Sequence, residues 1–275
     1  MKCIDFDRQF SDYLMRWMDE NRDKFEYVED MEKAMPGVYD TFLDTPQDFL
    51  SGQKPGEYFE QFSDPATLVS WMQDYLLEGV DVPDMLLNRI ADLGGKAAEA
   101  LMGILDSLDS MEEEKMLAIT LLREIGSEKP LATYIRWLKE GLESDDVREN
   151  ALESIEAVGE KTVPYLLDAL EEAGDDGKEA FLSVLTHYTK DDRVFSVLSD
   201  LFARKKSRRA VLAAYLGRLM DARALPLLTE AAKSEETPYF DYIEMRSAIE
   251  ELGGEAPERE FDEDPDYLEA LGKEQ

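Results

Sequence analysis

The chain is predicted to be all-α, an α-α superhelix of stacked helix pairs preceded by an N-terminal helical cap. Three observations predict it. Turn-forming positions at Gly94, Gly126, Gly159, Thr189, Met220 and Gly253 recur at intervals of 32, 33, 30, 31 and 33 residues, a period that suits one helix-turn-helix unit. The segments on either side carry apolar residues at helical rather than strand spacing: Ala151, Ile155 and Val158 before one turn, Val163, Leu166, Leu167 and Leu170 after it. Glycine recurs where a first helix should end, and Pro164 and Pro226 fall in the first turn of a second helix, where a missing amide donor costs little. One such pair cannot cover its own apolar face, so neighbours must stack.

In chain order, residues 1–80 lack the period and are rich in aromatics. Phe6, Phe10, Tyr13, Leu14 and Trp17 make a helical stripe, and Asp64-Pro65 opens a helix that runs through Leu68, Trp71, Met72 and Tyr75 toward Gly79. Between them, FLDTPQDFLSGQKPGEYF (42–59) is broken by Pro46, Gly52, Pro55 and Gly56 into short helices and turns. This region is expected to cap the stack. Residues 81–253 hold about five helix pairs and a terminal helix. Residues 254–275 form an acidic tail in which Asp264-Pro265, then Tyr267, Leu268 and Leu271, then Gly272, give the start, apolar side and stop of a short helix. That helix is expected to dock on the repeats or on a partner.

The lines VRENALESIEAVGEKTVPYLLDAL (147–170) and RRAVLAAYLGRLMDARALPLL (208–228) resemble HEAT repeats, specifically the short PBS-lyase HEAT-like type, and the likeness extends over about residues 82–253. It implies the solenoid fold and says little of function, because such repeats serve scaffolds, adaptors, inhibitors and a few enzymes. Two ladders of cations follow the period. Lys96, Lys129, Lys161, Arg193 and Arg223 recur near the start of second helices, and Lys115, Arg148, Lys178 and Arg209 near the start of first helices. The resemblance implies that cations near the turns pair with acids of the adjacent repeat.

Charge narrows the function classes. The net charge is -33, yet residues 176–233 carry 11 bases against 7 acids. Such a field repels nucleic acid and anionic lipid over most of the surface, since phosphate binding needs many cations acting together. The densest cluster is RKKSRR, with Arg204, Lys205, Lys206, Arg208 and Arg209. The repeat phase puts it at a junction between repeats, with Arg204, Lys205 and Lys206 ending one second helix and Ser207 capping the next first helix. It is expected to meet an acidic surface, either the chain's own tail or a partner's.

Little in the sequence points to catalysis. One histidine, His187, and one cysteine, Cys3, cannot make a zinc site of the usual type, and the His-Glu pairs of HEAT-like di-iron hydroxylases are missing. No phosphate-cradling glycine motif or nucleophile elbow appears. The sequence therefore predicts no enzyme, no cofactor and no metal. No run reaches the roughly 20 apolar residues of a membrane span, and the first ten residues lack a signal-peptide core, so a cytoplasmic protein is expected. The favoured reading is a protein-protein interaction scaffold whose second helices offer Arg136, Tyr165, Asp168, Ser196 and Glu230 to a partner protein. The alternatives are a local anion or nucleic-acid binder through residues 176–233, or a HEAT-like enzyme of the phycobilin-lyase or DNA-glycosylase kind.

Overall fold

The computed structural model describes residues 3–25, 28–262 and 264–273. Among them the chain is all-α: helices joined by short turns, with no strand beyond one isolated bridge between Gln47 and Gln53. It divides into two compact units, residues 1–130 and 131–275. The division falls in the turn of the second predicted helix pair.

The N-terminal unit holds α1 (Phe6–Asn21), α2 (Val28–Asp44), α3 (Pro65–Glu78), α4 (Asp84–Asp92), α5 (Gly95–Asp106) and α6 (Glu112–Glu124). Its core is aromatic. Phe6 packs on Phe49, Tyr58 and Phe59, and Phe42 meets Phe10, Tyr13 and Phe49. The stretch 42–59 resolves into two 3-10 turns, Asp48–Leu50 and Pro55–Glu57, which bring Leu50 and Pro55 inside. Helix α3 starts and stops where the sequence predicts, with the Asp64 carboxylate accepting from the Thr67 amide and Gly79 in the left-handed conformation. The buried Tyr75 hydroxyl accepts from the Ile4 amide (3.1 Å) and donates to the Ile4 carbonyl (2.9 Å), which straps the start of the chain to α3.

The C-terminal unit holds α7 (Leu131–Glu140), α8 (Asp145–Val158), α9 (Val163–Leu170), α10 (Asp175–Tyr188), α11 (Asp192–Arg204), α12 (Arg209–Leu219), α13 (Leu225–Lys233), α14 (Tyr239–Glu251) and α15 (Pro265–Lys273). The turns α8–α9, α10–α11 and α12–α13 fall at the predicted positions. Helix α7 packs on α8, α10 on both α9 and α11, α11 on α12 and α13 on α14, and α12 also lies against α10 and α14. The buried positions repeat down the second helices: Tyr134 and Leu138 in α7, Leu166 and Leu170 in α9, Leu198 and Phe202 in α11, Leu228 and Ala232 in α13. Successive members are 32, 32 and 30 residues apart, so one sequence period advances one layer of core.

Turn chemistry explains the periodic glycines and one departure. Gly159 takes φ +73° and Gly253 +78°, conformations that a Cβ disfavours. Met220 holds the equivalent place at φ +55°, a left-handed residue without glycine's freedom, whereas Thr189 stays extended and its turn is made differently.

Candidate partner-binding face

Helical geometry defines the site. Taking the buried residue in the last turn of each second helix as origin (Leu138, Leu170, Phe202 and Ala232), the positions two, five and six residues earlier lie within an arc of about 100° on the opposite side of the helix. Six residues earlier stand Ala132, Pro164, Ser196 and Pro226, all exposed. Five earlier stand Thr133, Tyr165, Val197 and Leu227, of which Tyr165 is exposed and the others half-buried, and two earlier stand Arg136, Asp168, Asp200 and Glu230, all exposed. The face is thus a row of small and proline side chains, a row with apolar character, and a row of three carboxylates and one guanidinium.

All five predicted residues belong to this face. Tyr165 and Asp168 sit one turn apart on α9, and Arg136 and Glu230 occupy the position equivalent to Asp168 on α7 and α13. Ser196 lies in the small-residue row, and Asp200, which the sequence reading passed over, continues the charged row on α11. Tyr165 is 61% exposed, so the large ring projects outward instead of packing at a repeat junction.

The RKKSRR stretch is differently built from the sequence expectation. Helix α11 ends at Arg204, and residues Lys206–Arg208 make a 3-10 turn before α12 begins at Arg209. Ser207 therefore is not the N-cap of α12. The Arg209 amide, which an N-cap serine would take, donates to the Lys206 carbonyl, so backbone takes the place of the serine hydroxyl.

Arg204, Lys205, Lys206 and Arg208 engage carboxylates, most of them from neighbouring repeats. Arg204 straddles both oxygens of Asp175 (3.1 and 3.2 Å) and reaches Asp200 through Nε (2.9 Å). Lys205 lies 3.3 Å from Asp175 and 3.7 Å from Asp176, and Lys206 lies 3.0 Å from Glu236. Arg208 forks onto Glu179, its Nε 3.0 and 3.1 Å from the two oxygens. Arg209 turns back over the Phe202 ring at 5.5 Å and donates to the Phe202 carbonyl (3.4 Å). The acidic surface this segment meets is supplied by α10 and by Glu236. The tail docks elsewhere, as described below.

Rungs of the ladder near the second helices connect adjacent repeats: Lys129 pairs with Glu99, and Arg223 with Asp192 (2.7 Å) as well as with Asp221 in its own turn. In the other ladder, Arg148 donates to the carbonyls of Gly141 (3.3 Å) and Glu143 (3.0 Å), and Arg209 to that of Phe202. These two cations close the C-terminal end of the preceding second helix, where carbonyls lack helical partners.

The first-helix side carries an open groove of about 460 Å³ lined by Asp145, Arg148, Leu152, Glu179, Ser183, Arg208 and Tyr215. Its two arginines are held by Asp145 and Glu179, so its field is close to balanced. His187 is exposed at the end of α10, its pKa lowered by partial burial and by the Arg218 guanidinium. Among the described residues no cluster of three His, Cys, Asp or Glu side chains could hold a metal ion, and no helix is long and apolar enough to cross a membrane.

The Asp175 rung has a pH signature. Hydrogen bonding from Arg204, helped by Lys205 and opposed by partial desolvation, lowers the Asp175 pKa below the ordinary carboxylate value. A carboxylate with a depressed folded-state pKa contributes stability above its unfolded pKa, near 4, and loses it as pH falls through the folded value. In urea unfolding between pH 7 and pH 2.5, Asp175→Asn should cost about 0.5–1 kcal/mol at pH 7, because solvent screens this partly exposed pair. The difference from wild type should vanish at the acid end. A pH-independent difference would show that the loss is not electrostatic.

The fold and this face define a class, an all-α chain of repeated helix pairs with a three-row second-helix surface. No known family model matches the chain, and no curated protein matches it.

Proposed function

We propose that the chain is a non-catalytic interaction scaffold of the HEAT-like type, and that the second-helix face of its C-terminal unit binds a basic, apolar-bearing segment of a partner protein. The observation that carries this reading is Tyr165, 61% exposed on α9 beside the charged row of Asp168, Asp200 and Glu230. A rigid aromatic ring is a frequent interface anchor, since it buries much area while freezing few torsions. The prolines and small residues beside it let a partner approach closely, and Asp168 and Glu230, Asp200 being paired with Arg204, outnumber the one guanidinium and favour lysine and arginine opposite them. The pairing of Arg204, Lys205, Lys206 and Arg208 with carboxylates argues against the nucleic-acid alternative, because a phosphate would have to displace each carboxylate first.

The test is selection of binding peptides from a random 16-residue display library on the intact chain. Enriched peptides should combine lysine or arginine with leucine or an aromatic. They should bind the Tyr165→Ala, Asp168→Lys chain at least about tenfold more weakly. Enrichment of acidic sequences, or binding indifferent to both substitutions, would remove this face from the proposal.

A further inference from the structure

The first-helix ladder breaks in the last repeat, and the break points to a site. Lys115, Arg148 and Lys178 each stand fourth in their helices, α6, α8 and α10, and Arg209 stands fourth when the 3-10 turn before α12 is counted. The fourth residue of α14 is Tyr242, which cannot close the end of α13 as Arg148 closes the end of α7. Arg148 uses the carbonyls seven and five residues before it, those of Gly141 and Glu143. Seven and five residues before Tyr242 stand Glu235 and Thr237.

Both of those carbonyls are taken by an arginine from the tail. The Arg259 guanidinium donates to the carbonyls of Thr237 (3.0 Å), Glu235 (3.5 Å) and Ala232 (3.4 Å), all at the C-terminal end of α13. It lies over the rings of Phe261 (4.5 Å) and Tyr242 (5.8 Å). Phe261 is only 8% exposed and packs against Tyr239 and Tyr242 at 5.2 and 4.9 Å between ring centres. The Tyr242 hydroxyl donates to the Pro257 carbonyl (2.7 Å). Finally, α14 begins after Pro238, which has no side chain to cap it, and the Asp264 carboxylate accepts from the Tyr239 amide (3.0 Å). The other Asp264 oxygen accepts from the Asp266 and Tyr267 amides (2.9 and 3.3 Å) at the start of α15.

We infer that the α13–α14 end of the chain is a peptide-binding site for an Arg-x-Phe-x-x-Asp segment, filled here by the chain's own Arg259, Phe261 and Asp264, with Arg259 standing in for the missing rung cation. Each feature of the segment meets its chemical complement. Helix-end carbonyls take the guanidinium, two tyrosine rings take the phenyl ring, and an uncapped helix start takes the carboxylate. The site rests on the repeat geometry and does not depend on the partner face proposed above.

Competition tests it in the full-length chain. The triple variant Arg259→Ala, Phe261→Ala, Asp264→Ala empties the site. It should bind a fluorescein-labelled synthetic peptide of residues 255–270 saturably, while the wild-type chain binds that peptide at least about tenfold more weakly because its own tail is a tethered competitor. Arg259→Ala in the peptide should weaken binding by about tenfold or more, the usual consequence of losing charge-assisted hydrogen bonds. A variant of unchanged helix content that ignores the peptide, or binding that survives Arg259→Ala in the peptide, overturns the inference. If the triple variant loses its helices, limited trypsin digestion of the wild-type chain decides instead. The bond after Arg259 should resist cleavage at least about tenfold longer than in the free peptide, and equal rates overturn the site.

Discussion

Phe202→Ala is expected to destabilise the C-terminal unit by about 3–5 kcal/mol, the range for removing a fully buried aromatic ring from a packed core. Phe202 is completely buried in the last turn of α11, at the innermost position of its repeat. Its ring also supports the Arg209 guanidinium, so the substitution leaves a cavity and loosens the cation that holds the following turn. Trp137 is the one tryptophan in residues 131–275. A background of Trp17→Phe and Trp71→Phe therefore makes its fluorescence a reporter on this unit alone. In urea the midpoint should fall by about 1–3 M, given ordinary dependences on denaturant. A shift corresponding to less than about 1 kcal/mol would mean that the layer relaxes to fill the space, contrary to the close packing inferred from the repeat.

Gly177→Ala should be the second largest effect, and its cause is different. Gly177 lies in the first turn of α10, and a Cβ built there would stand 2.3 Å from the Leu138 carbonyl oxygen and 3.1 Å from its carbon. The obstacle is backbone, which cannot rotate aside. The Gly174 amide pins the same junction by donating to the Lys139 carbonyl (3.2 Å), so α10 cannot move off α7 without breaking that bond as well. Overpacking of this kind costs about 1–3 kcal/mol, offset by the roughly 0.5–1 kcal/mol that alanine gains over glycine in a helix. Gly103→Ala in α5 is the control: nothing lies within 4 Å of its added Cβ, so only the helix gain should remain. Opposite signs in thermal unfolding are expected, and a stabilising Gly177→Ala would refute the close approach.

The helix pairs could be read from the sequence because their determinants are local. Apolar spacing, Asp64-Pro65 at the start of α3, and glycine after a first helix each act within a few residues, and the structure places helices and turns accordingly. The exposed face was partly legible for the same reason: Arg136, Tyr165, Asp168 and Glu230 break the apolar pattern in phase with one another. Ser207 misled because a serine between two basic helices fits an N-cap, whereas the 3-10 turn consumes that residue and satisfies an amide from the backbone. Asp175, the partner of Arg204 in the next layer, and Glu179, the partner of Arg208, each lie 29 residues away, at a separation that only the stacked layer determines. Arg259 was missed although a signal existed: the ladder's regular cation gives way to Tyr242, and the tail holds an isolated arginine among acids.

The internal pairing of the RKKSRR cations also governs how the molecule meets others at a distance. Locally neutralised, the turn projects little positive potential, so an approaching solute feels chiefly the unbalanced carboxylates of a chain with net charge -33. Cationic proteins are then drawn in before any specific contact forms, and their encounter rate falls steeply once the Debye length shrinks to roughly 8 Å at physiological ionic strength. Recognition by this chain is in that sense divided between two ranges: a diffuse attraction that salt tunes, and a short-range choice made by whatever rows of side chains the visitor finds on arrival.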